Sequence, residues 1–377
     1  MIIGPSSPGW GQSLGRGAAG IALLHIHRAQ AGAGPWATAH RWARIMTRDA
    51  VNANANASLY AGAPAIAFAL RTADHPAYAD AIDALDAHID VLTRRRLDRA
   101  HDRITSGQLP ALREFDLISG LTGIGTYLLH RPDDGLLREV LSYLVRLTES
   151  LDHEGETLPG WWTSNGPDDR PSPDWPGGHA NLGMAHGIAG PLALLSTAMN
   201  RRITVLGHRD AIIRICTWLD RWRLTDPHPR WPGIVRRTGQ ITDHLPQRPS
   251  WCYGTPGLAR AQQLAGIALG DTDRQKEAEG ALAGCLTNEL DLLNDASLCH
   301  GWAGLLHATR RVAAEAMTGQ LYDLLPSLER RTRKVLLQRG LPDHDGLLEG
   351  TAGVHLVKES VEFRSVAPRW EACLLLA

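Results

Sequence analysis

Gly187-Ile188-Ala189-Gly190, running straight into Pro191-Leu192-Ala193-Leu194-Leu195, is the stretch whose reading decides the fold. A Gly-x-x-Gly turn opens a segment that is apolar on nearly every side, and a helix of that composition belongs in an interior. Alone, the tetrapeptide means little, because glycine and alanine are common. It recurs as Gly17-Ala18-Ala19-Gly20, Gly62-Ala63-Pro64-Ala65, Gly120-Leu121-Thr122-Gly123, Gly254-Thr255-Pro256-Gly257, Gly301-Trp302-Ala303-Gly304 and Gly350-Thr351-Ala352-Gly353. Seven copies, the second ending in alanine, at intervals of roughly 45 to 70 residues indicate a repeat architecture.

The segments between the turns read as amphipathic helices. Ile82, Leu85, Ile89 and Leu92 recur at helical spacing, as do Leu137, Val140, Leu141, Leu144 and Val145, and then Ile212, Ile215, Cys216 and Leu219. Nothing alternates with period two over a useful length, so strands should be scarce. Apolar helices inside and amphipathic helices outside close most simply as two concentric rings, an all-α α/α toroid of about seven helix pairs in a single domain over 1–377. Glycine at the start of each inner helix would let backbones crowd together. The seven turns would then gather at one end of the ring. Only 16 residues precede Gly17, too few for a full outer helix in the first repeat, so either that helix is absent or the start is placed late.

Composition narrows the function. The 377 residues are 44% hydrophobic, with 39 basic against 40 acidic side chains, so no electrostatic footprint for nucleic acid is present. No apolar run approaches the length of a membrane span, and the N-terminus lacks the basic and apolar regions of a secretory signal. Five cysteines, an odd and sparse set, point to a reducing cytoplasm in which paired motif cysteines bind metal.

Two of those cysteines stand in Trp251-Cys252-Tyr253-Gly254 and Leu298-Cys299-His300-Gly301, each immediately before a repeat turn. Two thiols and an imidazole are a ligand set that Zn²⁺ favours, and three protein ligands leave one position for water or substrate. Closure of the ring would bring Cys252, Cys299 and His300 together. Cys216, Cys285 and Cys373 lie in apolar stretches and read as small core residues. His307 and His355 read as packed or solvated. Residues 158–182 and 225–250, rich in Pro, Gly, Asp and Trp, break the pattern and read as functional loops. Trp161, Trp162, Trp175 and Trp231 would either stack on a peptide or pack the loops onto the barrel.

Three stretches resemble the LanC family of lanthionine cyclases, which act on dehydrated precursor peptides. They are Asn181-Leu182-Gly183-Met184-Ala185-His186-Gly187-Ile188-Ala189-Gly190, Arg248-Pro249-Ser250-Trp251-Cys252-Tyr253-Gly254 and Leu298-Cys299-His300-Gly301-Trp302-Ala303-Gly304. The likeness extends from Ser13-Leu14 to Trp370-Glu371-Ala372-Cys373-Leu374-Leu375. It implies a toroid of seven helix pairs with one Zn²⁺ at its mouth. It also implies Michael addition of precursor cysteine thiols to dehydroalanine or dehydrobutyrine, giving (methyl)lanthionine rings in lantibiotic biosynthesis.

By the same resemblance His186 is the general acid or base, Asp116 lies near it, and Arg248 and Tyr253 face the developing enolate or the carboxylate network. A helix N-cap role competes for Asp116 and a surface ion pair for Arg248. The implied partners are the precursor peptide, leader plus core, and a complex with a dehydratase and an exporter. The enzyme would be cytoplasmic, at most peripheral to a membrane. A zinc-bearing thiol- or peptide-binding protein without cyclase activity is the alternative, and His186, Asp116 and Arg248 beside the zinc ligands argue against it. A glycosidase of similar shape would need an acidic pair near the axis, where the turns offer only scattered carboxylates such as Glu349. A protein prenyltransferase would carry an aspartate in its zinc ligand set, which the turns do not show.

Overall fold

Each of the seven turns starts a helix. In the computed structural model, which describes residues 7–132, 135–226, 228–239, 247–363 and 369–377, the inner helices are α1 (Ala18–Gln30), α3 (Ala63–Ala73), α6 (Leu121–Leu128), α8 (Ala189–Asn200), α10 (Thr255–Leu269), α12 (Trp302–Ala314) and α14 (Thr351–Glu362). Each packs on the next, and α14 packs on α1, so the ring closes. The outer helices are α2 (Trp36–Met46), α4 (Ala79–Thr105), α7 (Leu136–Leu147), α9 (His208–Arg221), α11 (Thr272–Asn288) and α13 (Gln320–Arg339). Each lies against the inner helix before it in the chain. A short helix, α5 (Leu112–Phe115), leads into the third turn.

The periodic residues do what their spacing predicts. Ile212, Ile215, Cys216 and Leu219 form the buried stripe of α9, and Leu192 to Leu195 of α8 are buried on all sides. Each fully buried leucine contributes about 1.5–3 kcal/mol through removal of apolar surface from water. The first repeat has a 3₁₀ turn, Trp10–Gln12, ahead of its inner helix, so six outer helices accompany seven inner ones among the described residues.

The second glycine of the turns is required by a close approach. A Cβ at Gly257, Gly304 or Gly353 would lie 2.0 Å from the carbonyl oxygen of Trp251, Leu298 or Leu347, six residues earlier. The crowding is thus chiefly with each turn's own approach segment, and only then with the neighbouring repeat. Gly304→Ala should lower stability by about 1–3 kcal/mol, as overpacking does. Gly280→Ala, in α11 with open space around it, should raise it by about 0.5–1 kcal/mol. Opposite shifts in Tm would confirm the contact; equal shifts would refute it.

The approach segments are laced to one another around the mouth of the ring by backbone hydrogen bonds. Amides of Leu117, Ala185, Cys252, Cys299 and Leu348 donate to carbonyls of Ala185, Cys252, Cys299, Leu348 and Gly15 at 3.1, 3.2, 3.3, 2.7 and 2.9 Å. This relay fixes the residue two before the turn in the first and in the fourth to seventh repeats. The chain's last described segment runs between inner helices. Tyr60 Oη, Trp251 Nε1 and Arg260 Nε donate to the carbonyls of Cys373, Leu374 and Leu376 at 2.8, 2.9 and 2.9 Å.

Strands are scarce, as expected: β1 (Leu151–His153) pairs with β2 (Glu156–Leu158), and β3 (His179–Asn181) with β4 (Ile234–Arg236). The second pair ties the two irregular loops together. Residues 227 and 240–246 of the 225–250 loop lie outside the described residues. The loop tryptophans pack. Trp161 meets Trp218 edge to face at 5.3 Å, Trp162 Nε1 donates to Gly177 O at 2.9 Å, and Trp231 is buried. Trp175 lies beneath the Arg236 guanidinium at 3.8 Å. None of the four lines the mouth, so the peptide-stacking expectation gives way to packing.

Candidate metal centre and proton-transfer site

Two positions of the repeat carry the chemistry. The residue two before the turn is Ala185, Cys252 and Cys299 in repeats four, five and six, and the residue one before it is His186, Tyr253 and His300. Adjacent repeats are hydrogen-bonded at the first of these positions, which sets Cys252 beside Cys299. Cys252, Cys299 and His300 offer one ligand atom each, all within 4.8 Å of one another. Tetrahedral zinc with Zn–S near 2.3 Å would hold two sulfurs about 3.8 Å apart, a spacing compatible with that limit.

Electrostatics agree with a cation at this point. The hydrogen bond from Cys299 pulls the Cys252 thiol down to about 5, while Cys299 is pushed up by that same bond and by burial. The two sulfurs share one proton that a dication would displace. The Cys252 interaction also raises His300, although burial opposes it. Ser250 Oγ lies 3.7 Å from Cys252 Sγ.

His186 faces the same cavity from the adjoining repeat. Its Nδ1 is 2.6 Å from Asp116 Oδ2, leaving Nε2 for chemistry. Burial alone would push the imidazole down, but the hydrogen bond to Asp116 and its charge outweigh it, and the net direction is up. Asp116 is 1% exposed, and its other oxygen accepts from the amides of Ser119 and Gly120 at 2.6 and 2.8 Å. The helix N-cap reading of Asp116 is not what forms, because Gly120 is the N-cap of α6 and no side chain caps it. One oxygen instead holds the amides of the segment leading into the third turn and the other orients the histidine. Tyr253, its ring 6.1 Å from His186, is pushed up to about 12, chiefly by burial, and stays a neutral hydrogen-bond donor.

Arg248 reaches the cavity wall but is occupied. Its guanidinium lies 3.3 Å from Asn294 Oδ1 and 3.5 Å from Asp295 Oδ2. Asp295 in turn lies 3.5 Å from His300 Nε2. The sequence reading missed Asp295, Ser250 and the Arg16–Glu349 ion pair at 2.7 Å, which closes the rim between the first and seventh repeats. Comparing the residue before each turn across all seven copies would have found Arg16 and Glu349. These side chains surround a cavity of about 520 Å³ in which Cys252, Cys299, His300, His186, Tyr253 and Arg248 all take part.

A closed helical ring with a thiol-rich cluster able to hold a metal and a carboxylate-paired imidazole on one cavity defines the class, an α/α toroid with its polar groups gathered at the mouth. The family model described as lanthionine synthetase C-like protein matches residues 8–375, and the chain belongs to that family. The chain is 25% identical over 335 residues to a protein titled nisin biosynthesis protein NisC from Lactococcus lactis subsp. lactis, covering 85% of this chain and 77% of that protein. The solved structure titled nisin cyclase superposes with a TM-score of 0.82 at 22% identity, over 99% of this chain and 94% of the other, a likeness of fold. Among the described residues no helix is long and apolar enough to cross a membrane.

Proposed function

We propose that the protein closes thioether rings in a dehydrated precursor peptide with one Zn²⁺ held by Cys252, Cys299 and His300 and with His186 as proton donor. The observation that carries this is the placing of the metal-capable cluster and the Asp116–His186 pair on one cavity. A bound Zn²⁺ supplies a deprotonated, still nucleophilic substrate thiol near neutral pH. The substrate sulfur bonds to the β-carbon of a dehydroalanine or dehydrobutyrine, and the alkene electrons move onto the adjoining carbonyl as an enolate. His186 Nε2–H then delivers a proton to the α-carbon. Asp116 holds the ring so that Nδ1–H faces the carboxylate and Nε2 faces the cavity. Tyr253 donates toward the developing oxygen charge.

Arg248 is the remaining candidate for that charge. If its guanidinium binds the enolate, Arg248→Lys should be nearly as damaging as Arg248→Ala, about 10²-fold in kcat, because lysine keeps the charge and loses the planar fork. If it serves only Asp295, both variants should cyclise close to the wild-type rate, as exposed pairs contribute at most about 1 kcal/mol. Rates at saturating peptide decide between them.

The five cysteines are all free thiols, which supports a reducing, cytoplasmic setting. The same reading takes 1–377 as one toroid domain and has it meet its peptide, leader plus core, in company with a dehydratase and an exporter. Ring closure is tested with a dehydrated precursor encoded nearby. Each ring formed removes one alkylatable thiol without changing the peptide's mass. Full alkylation after incubation would leave the non-catalytic thiol-binding alternative.

A further inference from the structure

Three cavities meet at the mouth of the toroid and share their walls. The central one is the reaction cavity. On one side it shares His186 and Tyr253 with a groove of about 720 Å³, walled by Arg96 and Arg99 of α4 and by Asp168 and Asp169 of the 158–182 loop. On the other side it shares His300 and Glu349 with a groove of about 470 Å³, walled by Arg339 at the end of α13, by Leu341, Pro342 and Asp343 just beyond it, and by Asp295. The proton donor marks one exit and a metal ligand marks the other.

The two grooves differ in chemistry. In the first, Arg113 is matched to Asp169 at 2.5 Å. Arg96 is held by the carbonyls of Ser119 and Ala55 at 2.7 and 2.6 Å; the Asp116 charge acts on it without a direct ion pair among the described residues. Arg99 is exposed and likewise has no carboxylate partner among them. The second groove presents Leu341, 46% exposed, beside Pro342, while Arg339 is tied to the Asn294 carbonyl at 3.0 Å.

We infer that these cavities form one track along which the precursor peptide lies extended. The residue flanking the dehydroamino acid enters the Arg96–Arg99 groove, and the residue flanking the cysteine enters the Leu341–Pro342 groove. This rests on the ring-closure reading above. The thiol must sit at Cys252, Cys299 and His300, and the α-carbon that accepts the proton must come within reach of His186. Because these two points open onto opposite grooves, the chain beyond each reacting residue has one way out. An extended chain advances about 3.3 Å per residue, so each groove meets the first few flanking residues. An acidic residue is favoured at the first groove by Arg96 and Arg99, and an apolar residue is favoured over an acidic one at the second, where Leu341 and Pro342 stand among Asp295, Asp343 and Glu349.

The test uses synthetic peptides with one dehydroalanine and one cysteine. The dehydroalanine flank carries Asp or Lys, and the cysteine flank carries Leu or Asp. Arg99→Glu should shift the Asp/Lys preference in kcat/KM about 5-fold at the dehydroalanine flank, the scale of one exposed ion pair, and leave the cysteine flank alone. Leu341→Lys should lower the Leu/Asp preference about 10-fold at the cysteine flank only, because the leucine loses its apolar contact and the aspartate gains an attractive charge. Unchanged preferences, a uniform loss, or effects at the crossed flanks would overturn the track. Absence of cyclisation by the wild type would instead sink the ring-closure reading. The same preferences, read by fluorescence anisotropy on peptides with alanine in place of dehydroalanine, then decide the track separately.

Discussion

Cys299→Ala is expected to lose bound zinc and all measurable ring closure while keeping its helical circular dichroism. The cluster has three protein ligands, all within 4.8 Å of one another. Removing one sulfur leaves one thiol and an imidazole, too few for tight tetrahedral zinc. The fold does not depend on that metal. The ring is closed by seven mutually packed inner helices, with a buried core running from Leu14 to Leu376. Cys285→Ala is the control. This thiol is fully buried in outer helix α11, is pushed well up by burial, and faces no other cysteine. It should keep a full equivalent of zinc and near wild-type activity, with at most a modest fall in Tm from the lost sulfur. Zinc content by elemental analysis separates the two variants. Full occupancy in Cys299→Ala would remove Cys299 from the ligand set.

The repeat and the clustering of Cys252, Cys299 and His300 were legible because one contact enforces both. The backbone carbonyl against Gly257 and Gly304 allows no side chain there. That leaves a glycine in the sequence at each turn and fixes the register of Cys252, Cys299 and His300 ahead of it. His186 stands in the same register, one residue before its turn, but its role came from the resemblance alone. What escaped comes from outside that register. Arg96 projects from an outer helix, where charge is the ordinary surface pattern. Asp295 sits in a loop whose meaning depends on where Arg248 and His300 end up. The tryptophans of 158–182 were ambiguous because irregular segments carry no periodicity to say which face is buried. Their partners, Trp218 and Arg236, lie far along the chain. The strands β3 and β4 are three residues each, too short for alternation to register.

Replacement of His186 by Asn should leave zinc content and peptide affinity unchanged and slow ring closure by about 10²–10⁴-fold, the usual scale of a lost general acid–base group. The pH dependence tells the proton-transfer role from a structural one. His186 must be protonated to deliver a proton to the enolate, so the wild-type rate should fall as pH rises through its pKa. Burial lowers that pKa, but the hydrogen bond and charge of Asp116 bring it above the ordinary 6.5. The alkaline limb should therefore lie above 6.5 in the wild type. In Asp116→Asn the amide can still accept from Ser119 and Gly120 but no longer offers a charge, and burial then dominates. The alkaline limb should move to lower pH, with a smaller loss at acidic pH than at neutral pH. Asn at this position can keep the bonds from the Ser119 and Gly120 amides ahead of the third turn, so the shift cannot be put down to loss of that segment. A limb that stays in place in Asp116→Asn, together with a near wild-type rate in His186→Asn, would mean that solvent protonates the enolate and that the pair serves only to join the third and fourth repeats.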